Sequence, residues 1–177
     1  MTLIGTERRY GLIAQLLHWT MAVLVLWAWL IAGTWGRGGE GSSVLALHQT
    51  LGFAVFVLVF LRVVWRLFDR RPAGPPVPGV MALAGKVSHW LLYALLFAIP
   101  ATAIAGSWLE GHSITVNGLG AIGPYFATSR SFGHEILDIH QLLGTTIMWV
   151  AGFHAAAAIF HHFFLKDRVL RQMLPVG

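Results

Sequence analysis

Four long apolar runs, at residues 10–35, 44–66, 87–109 and 134–165, limit what this chain can fold into. Each exceeds the ~20 helical residues needed to cross a hydrocarbon core about 30 Å thick. None shows the alternation of a strand, and an open sheet edge cannot face lipid, so the runs specify helices. Apolar residues make up 56% of the 177 and charged residues only 11%, too little charge for a soluble domain of this size. Arg8 and Arg9 precede the first run as they would a signal peptide. That run is too long for one, and Leu30-Ile31-Ala32 is a poor cleavage site, so it reads as a retained helix. The expected fold is all-α: an integral membrane four-helix bundle, with residues 1–177 forming a single domain without internal repeats.

Charge placement sets the expected orientation. Ten of the twelve cations (Arg8, Arg9, Arg62, Arg66, Arg70, Arg71, Lys86, Lys166, Arg168 and Arg171) fall on one side of a four-span bundle, and only Arg37 and Arg130 on the other. By the positive-inside rule, both termini and the middle loop lie in the cytoplasm. The net charge of +5 is thus a topology signal, and nucleic acid is not an expected partner.

Among the connections, 69–85 carries Pro72, Pro75, Pro76 and Pro78 and reads as a semi-rigid polyproline linker. The glycine-rich stretch 36–43 permits only a tight hairpin between the first two helices. The longer stretch 110–133 is expected to fold over the outer mouth of the bundle, through Ile114, Ile122, Tyr125 and Phe126. Pro100 removes one backbone hydrogen bond from the third helix and should kink it.

Histidine inside an apolar run is costly without a partner, and four of the nine histidines are placed to pair. His140 and His154 are fourteen residues apart on the fourth helix, about 21 Å along the axis and within ~40° of the same direction. His18 matches His154 in depth near the cytoplasmic face, and His48 matches His140 near the outer face. Two imidazoles from different helices at each of two depths are what two stacked haems require. A single bare metal ion would need ligands three or four residues apart on one helix. Gly52 and Gly144 each follow a histidine by four residues, and Gly152 and Ala155–Ala158 flank His154, leaving room for a flat macrocycle. Small residues also simply let helices approach, and any one membrane histidine can be structural. Spacing alone does not settle the metal. With no cysteine in the chain, disulfides, thioether-linked haem, iron–sulfur clusters and thiolate metal sites are excluded.

Three stretches carry a family resemblance: Leu17-His18-Trp19; Leu47-His48-Gln49 with Arg62 and Arg66 downstream; and Gly152-Phe153-His154 through Phe160-His161-His162, closing with Phe163-Phe164-Leu165-Lys166-Asp167. In these the chain resembles the bacterial cytochrome b561 family over nearly its whole length. The resemblance implies a four-helix bundle with two b-type haems in its core, lodged in the bacterial inner membrane and exchanging electrons with ubiquinone. It implies His18, His48, His140 and His154 as axial ligands to haem iron. Some members oxidise superoxide outside and reduce quinone inside; others anchor redox proteins.

Arg62 lies fourteen residues after His48, on nearly the same face but at the inner end, and either neutralises a haem propionate or snorkels to lipid phosphate. Arg66, nearer water, reads as a snorkelling residue. His161 is seven residues beyond His154, ~10 Å closer to the cytoplasm, where a quinone headgroup could take a hydrogen bond or a proton from it. An interfacial role is the alternative for His161 and the preferred reading for His89 and His162; His112 and His134 read as solvated.

With both axial positions filled by imidazole, an iron is restricted to outer-sphere electron transfer. The leading expectation is a superoxide:ubiquinone oxidoreductase. The outer charges, Arg37 and Arg130 against Glu40, Glu110, Glu135 and Asp138, form a poor collector of anions and suit a periplasmic redox protein as donor instead. A histidine-lined metal transporter is a third, weaker reading, since the spans hold no carboxylate for an ion.

Overall fold

A computed structural model describes residues 2–7, 9–33, 43–70, 72 and 78–174. Its four long helices are α1 (Leu12–Ala32), α2 (Ser43–Phe68), α3 (Gly79–Glu110) and α4 (Arg130–Phe163), and a single turn, α5 (Val169–Met173), follows. Each long helix is long and apolar enough to cross a membrane, and at most 17% of its most apolar stretch is buried in the protein. Phe60, Leu67, Trp90, Trp149 and Phe153 all face outward. Apolar surface costs about 25 cal/mol per Å² against water but not against lipid, so this exterior belongs in a bilayer. The protein is a multi-pass membrane helical bundle. All of the short hinge at 36–43 but Ser43, the middle of the proline-rich linker, Arg37 and Glu40 lie outside the described residues.

Met21, Leu51, Val55, Val59, Leu95 and Ile147, drawn from all four long helices, form the buried core. The closest helix pair is α3 with α4. Two glycines permit that approach: a Cβ on Gly106 would lie 2.8 Å from Leu137 Cγ, and one on Gly133 would lie 2.7 Å from Glu110 N. Small residues bringing backbones together are the usual basis of helix packing in lipid. The helix α3 runs through the buried Pro100 as one element.

Two elements differ from the sequence reading. Helix α3 starts at Gly79, directly after Pro78, rather than near residue 87. Residues 79–86, GVMALAGK, are mostly good helix formers, and a helix can begin after a proline whose lack of N–H costs nothing there. The outer connection contains an antiparallel hairpin, β1 (Ile114–Val116) with β2 (Gly120–Ile122), paired Thr115 to Ala121. A three-residue strand is too short to leave an alternating pattern in sequence. Its turn relies on Gly118 and Gly120, at φ 88° and 91°, a region where a side chain is strained.

The hairpin does cover the outer mouth. Ile114 and Val116 are buried against α2, and two α2 side chains hold it: Gln49 Oε1 accepts from Thr115 N at 2.8 Å, and Thr50 Oγ1 from Asn117 N at 3.0 Å. Trp108 Nε1 donates to Ile122 O at 3.1 Å, with Tyr125 and Phe126 packed edge-on against its ring. At the opposite end the C-terminal segment folds back onto the start of α1. Gln172 O accepts from Tyr10 N and from the buried Gln15 Nε2, Met173 O from Trp19 Nε1, and Leu174 O from Arg9 Nη2.

Candidate haem sites

His48 on α2 and His140 on α4 meet near the outer end with ring centres 6.1 Å apart and planes at 89°. His18 on α1 and His154 on α4 meet near the inner end with ring centres 6.4 Å apart and planes at 77°. A metal–nitrogen bond of about 2.0 Å plus ~1.1 Å from nitrogen to ring centre, taken on both sides, places two axial imidazoles about 6.2 Å apart. Both pairs stand at that separation.

Second contacts fix the outer rings. His48 Nδ1 donates to Ala28 O on α1 at 3.0 Å, and His140 Nδ1 donates to Ile99 O on α3 at 2.8 Å. A carbonyl only accepts, so the proton sits on Nδ1 and each Nε2 keeps its lone pair for a metal. All four long helices thus contribute to this site, two with rings and two with the carbonyls that aim them. Between the rings lies a largely apolar cavity of about 920 Å³, lined among others by Trp29, Gly52, Phe53, Pro100, Ile114 and Gly144. A Cβ built on Gly52 or Gly144 would meet nothing within 4 Å. These two glycines border open space rather than a neighbouring helix, which favours the macrocycle reading over helix approach for both.

The inner site is richer in charge than the sequence suggested. A third ring, His89 on α3, is exposed yet stands 5.4 Å from that of His154, which fits both an interfacial position and a place beside the inner pair. Arg62 Nε donates to Tyr93 Oη at 3.1 Å and Arg66 Nη1 to the same oxygen at 3.3 Å, with the Arg66 guanidinium 5.5 Å from the Tyr93 ring centre. Arg66 therefore shares a phenol partner with Arg62. Arg62 Nη1 and Trp65 Nε1 are buried donors with no acceptor among the described residues. Buried donors without partners are rare because each costs about 1–3 kcal/mol. A carboxylate such as a haem propionate is the acceptor their chemistry fits. Trp65 and Tyr93 were not singled out in the sequence; only knowing which α3 residue faces Arg62 reveals them.

His161, near the end of α4, has its Nδ1 2.5 Å from Asp167 Oδ2. His162 is half-buried, with Nδ1 unpartnered among the described residues and its ring edge-on to Phe163. His112 and His134 are exposed and flank Glu110 on the outer side, as a solvated role requires. No group of three or more His, Asp or Glu among the described residues is arranged to hold a bare metal ion.

The family model for prokaryotic cytochrome b561 matches residues 9–176. The chain belongs to that family. A probable superoxide oxidase CybB of Yersinia pestis is 31% identical over 176 residues, covering 96% of this chain and 97% of that protein. Cytochrome b561 homolog 2 of Escherichia coli is 28% identical, covering 98% and 95%. Cytochrome b562 of Cereibacter sphaeroides is 30% identical, covering 95% and 96%. Like the rest of the prokaryotic cytochrome b561 family, this is a bacterial membrane electron-transfer protein that binds b-type haem.

Proposed function

We propose that this cytochrome carries two haems, the outer held by His48 and His140 and the inner by His18 and His154, and moves electrons between them across the inner membrane. The observation that carries the reading is the pair of ring separations, 6.1 and 6.4 Å, at two depths of one bundle. Haem, when bound, would supply reversible one-electron chemistry, and an imidazole pair at each site would hold its iron and favour outer-sphere transfer. The protein contributes the clamps, the Nδ1 partners that set the outer tautomers, and an apolar shell that keeps water away. Arg62, whose buried Nη1 has no acceptor among the described residues, would hold a propionate of the inner haem.

Electrons enter from superoxide on the periplasmic side and leave to ubiquinone on the cytoplasmic side. Two superoxide ions give up two electrons and become two molecules of oxygen; one quinone takes those electrons and two cytoplasmic protons. His161 hydrogen-bonds the quinone headgroup. Both termini are cytoplasmic, following the distribution of Lys and Arg. Support for the superoxide half comes from the relative named a probable superoxide oxidase. A periplasmic redox protein is the second reading for the donor, favoured by an outer surface whose described charges are Glu110, Glu135 and Asp138 against Arg130.

Purified protein mixed with a superoxide source and a ubiquinone analogue tests the scheme. Fast reduction of both haems followed by quinol formation supports it. Haems that reduce with dithionite but ignore superoxide transfer the donor role to a protein partner. A spectrum with one b haem per chain overturns the two-clamp arrangement.

A further inference from the structure

We propose that Asp167 is a positioning residue for quinone reduction: it holds His161 so that the imidazole delivers protons to the quinone through Nε2. The inference rests on the quinone site proposed at His161.

The turn after α4 is built around this contact. Lys166 adopts φ 54°, reversing the chain, and Asp167 N donates back to His161 O at 3.2 Å. Asp167 then commits both carboxylate oxygens. Oδ1 accepts from Val169 N at 3.0 Å, and Oδ2 lies 2.5 Å from His161 Nδ1. Both side chains are largely covered, with 18% of His161 and 15% of Asp167 exposed. A carboxylate fixed at both oxygens sets the ring's direction and places a proton on Nδ1, so Nε2 is the nitrogen that exchanges protons with a ligand. A carboxylate against one ring nitrogen also stabilises the imidazolium that a proton donor must form between turnovers.

The chemistry balances. As two electrons arrive from the inner haem, His161 passes two protons in succession to the quinone oxygens through Nε2, and cytoplasmic water replaces each. Asp167 stays anionic throughout: burial pushes its carboxyl up, but hydrogen bonds from His161 and Val169 N, with charge from His161 and His162, hold it below the usual range. The other titratable neighbour on α4 is His162, and Lys166 and Arg168 flank Asp167 in the turn.

The test uses purified protein carrying its full haem complement, pre-reduced, then mixed with decyl-ubiquinone between pH 5 and 9. Asp167→Asn should slow haem reoxidation about 10- to 100-fold, the usual cost of losing a carboxylate that orients a functional histidine. The loss should fall on kcat more than KM. Haem spectra and dithionite reduction should not change, and Asp167→Glu should recover part of the rate. Asp167→Asn at full speed, with His161→Gln slow, overturns the role of Asp167 and leaves the quinone site standing. His161→Gln at full speed overturns both. Asp167→Glu as slow as Asp167→Asn, despite intact spectra, also overturns the positioning role.

Discussion

His140 on α4 donates through Nδ1 to the carbonyl oxygen of Ile99 on α3, at 2.8 Å, and this contact decides which of its ring nitrogens is left for a metal. Ile99 directly precedes Pro100, and both line the outer cavity that His140 enters. His48 is aimed in the same way by Ala28 O on α1. Neither carbonyl could be paired with its histidine from the sequence, because any backbone oxygen serves and only the helix register selects one.

Replacing His140 with Ala should remove the outer haem alone. The expected result is about half the reduced-minus-oxidised absorbance and one haem per chain by pyridine haemochrome assay, with the protein still inserted in the membrane. Retention of both haems would show that His140 is not a ligand.

Gly144→Leu offers a test that spares every ligand. The space in front of Gly144 is open for at least 4 Å, so the new side chain has room and the fold should persist with little change in Tm. The side chain would occupy part of the cavity between His48 and His140. Outer haem content should fall well below half, as read from the same spectrum.

Gly106→Val should act oppositely, harming the fold rather than one site. Its Cβ would come within 2.9 Å of both Leu137 Cγ and Cδ2 and within 3.1 Å of Gly133 O, in the closest helix pair. Overpacking of that kind costs about 1–3 kcal/mol. Thermal unfolding in detergent should show a lower Tm with both haems lost together.

Arg62→Leu removes the cation nearest the inner histidines, whose burial places Nη1 without an acceptor. A positive charge favours the reduced haem, so its loss should lower the inner potential by an amount on the order of tens of millivolts. Redox titration should show one haem moved and the other unchanged.

The tie between Asp167 and His161 should respond to acid. The folded carboxyl titrates below its ordinary value, so its stabilising contribution is present above the unfolded pKa and is lost as pH falls through the folded one. The protection of Val169 N from hydrogen exchange, measured against the intrinsic rate at each pH, should therefore hold near neutrality and fall only below the usual carboxylate range. Loss of protection already at pH 6 would contradict this.

Much of the architecture was legible because lipid imposes it. The four spans, their helical nature and the depth of each histidine follow from run length and a fixed rise per residue. Gly52 and Gly144 were readable as candidates for the same reason, by their offset of four from a histidine. The hairpin 114–122 was not, since its first strand and its turn are held by Gln49 and Thr50, more than sixty residues earlier. The contacts of His89 with His154 and of Arg66 with Tyr93 were not legible either, because depth along a helix says nothing about which neighbour stands opposite.

The amino-acid order by itself determined that this chain crosses a membrane four times and carries imidazoles at two matching depths, since apolar length and helical rise are local properties. Tertiary structure alone decided the partners. The ring separations, the carbonyls that set the tautomers, the tyrosine shared by two arginines and the carboxylate on His161 depend on how the helices and the C-terminal turn are packed and rotated, which local sequence does not fix.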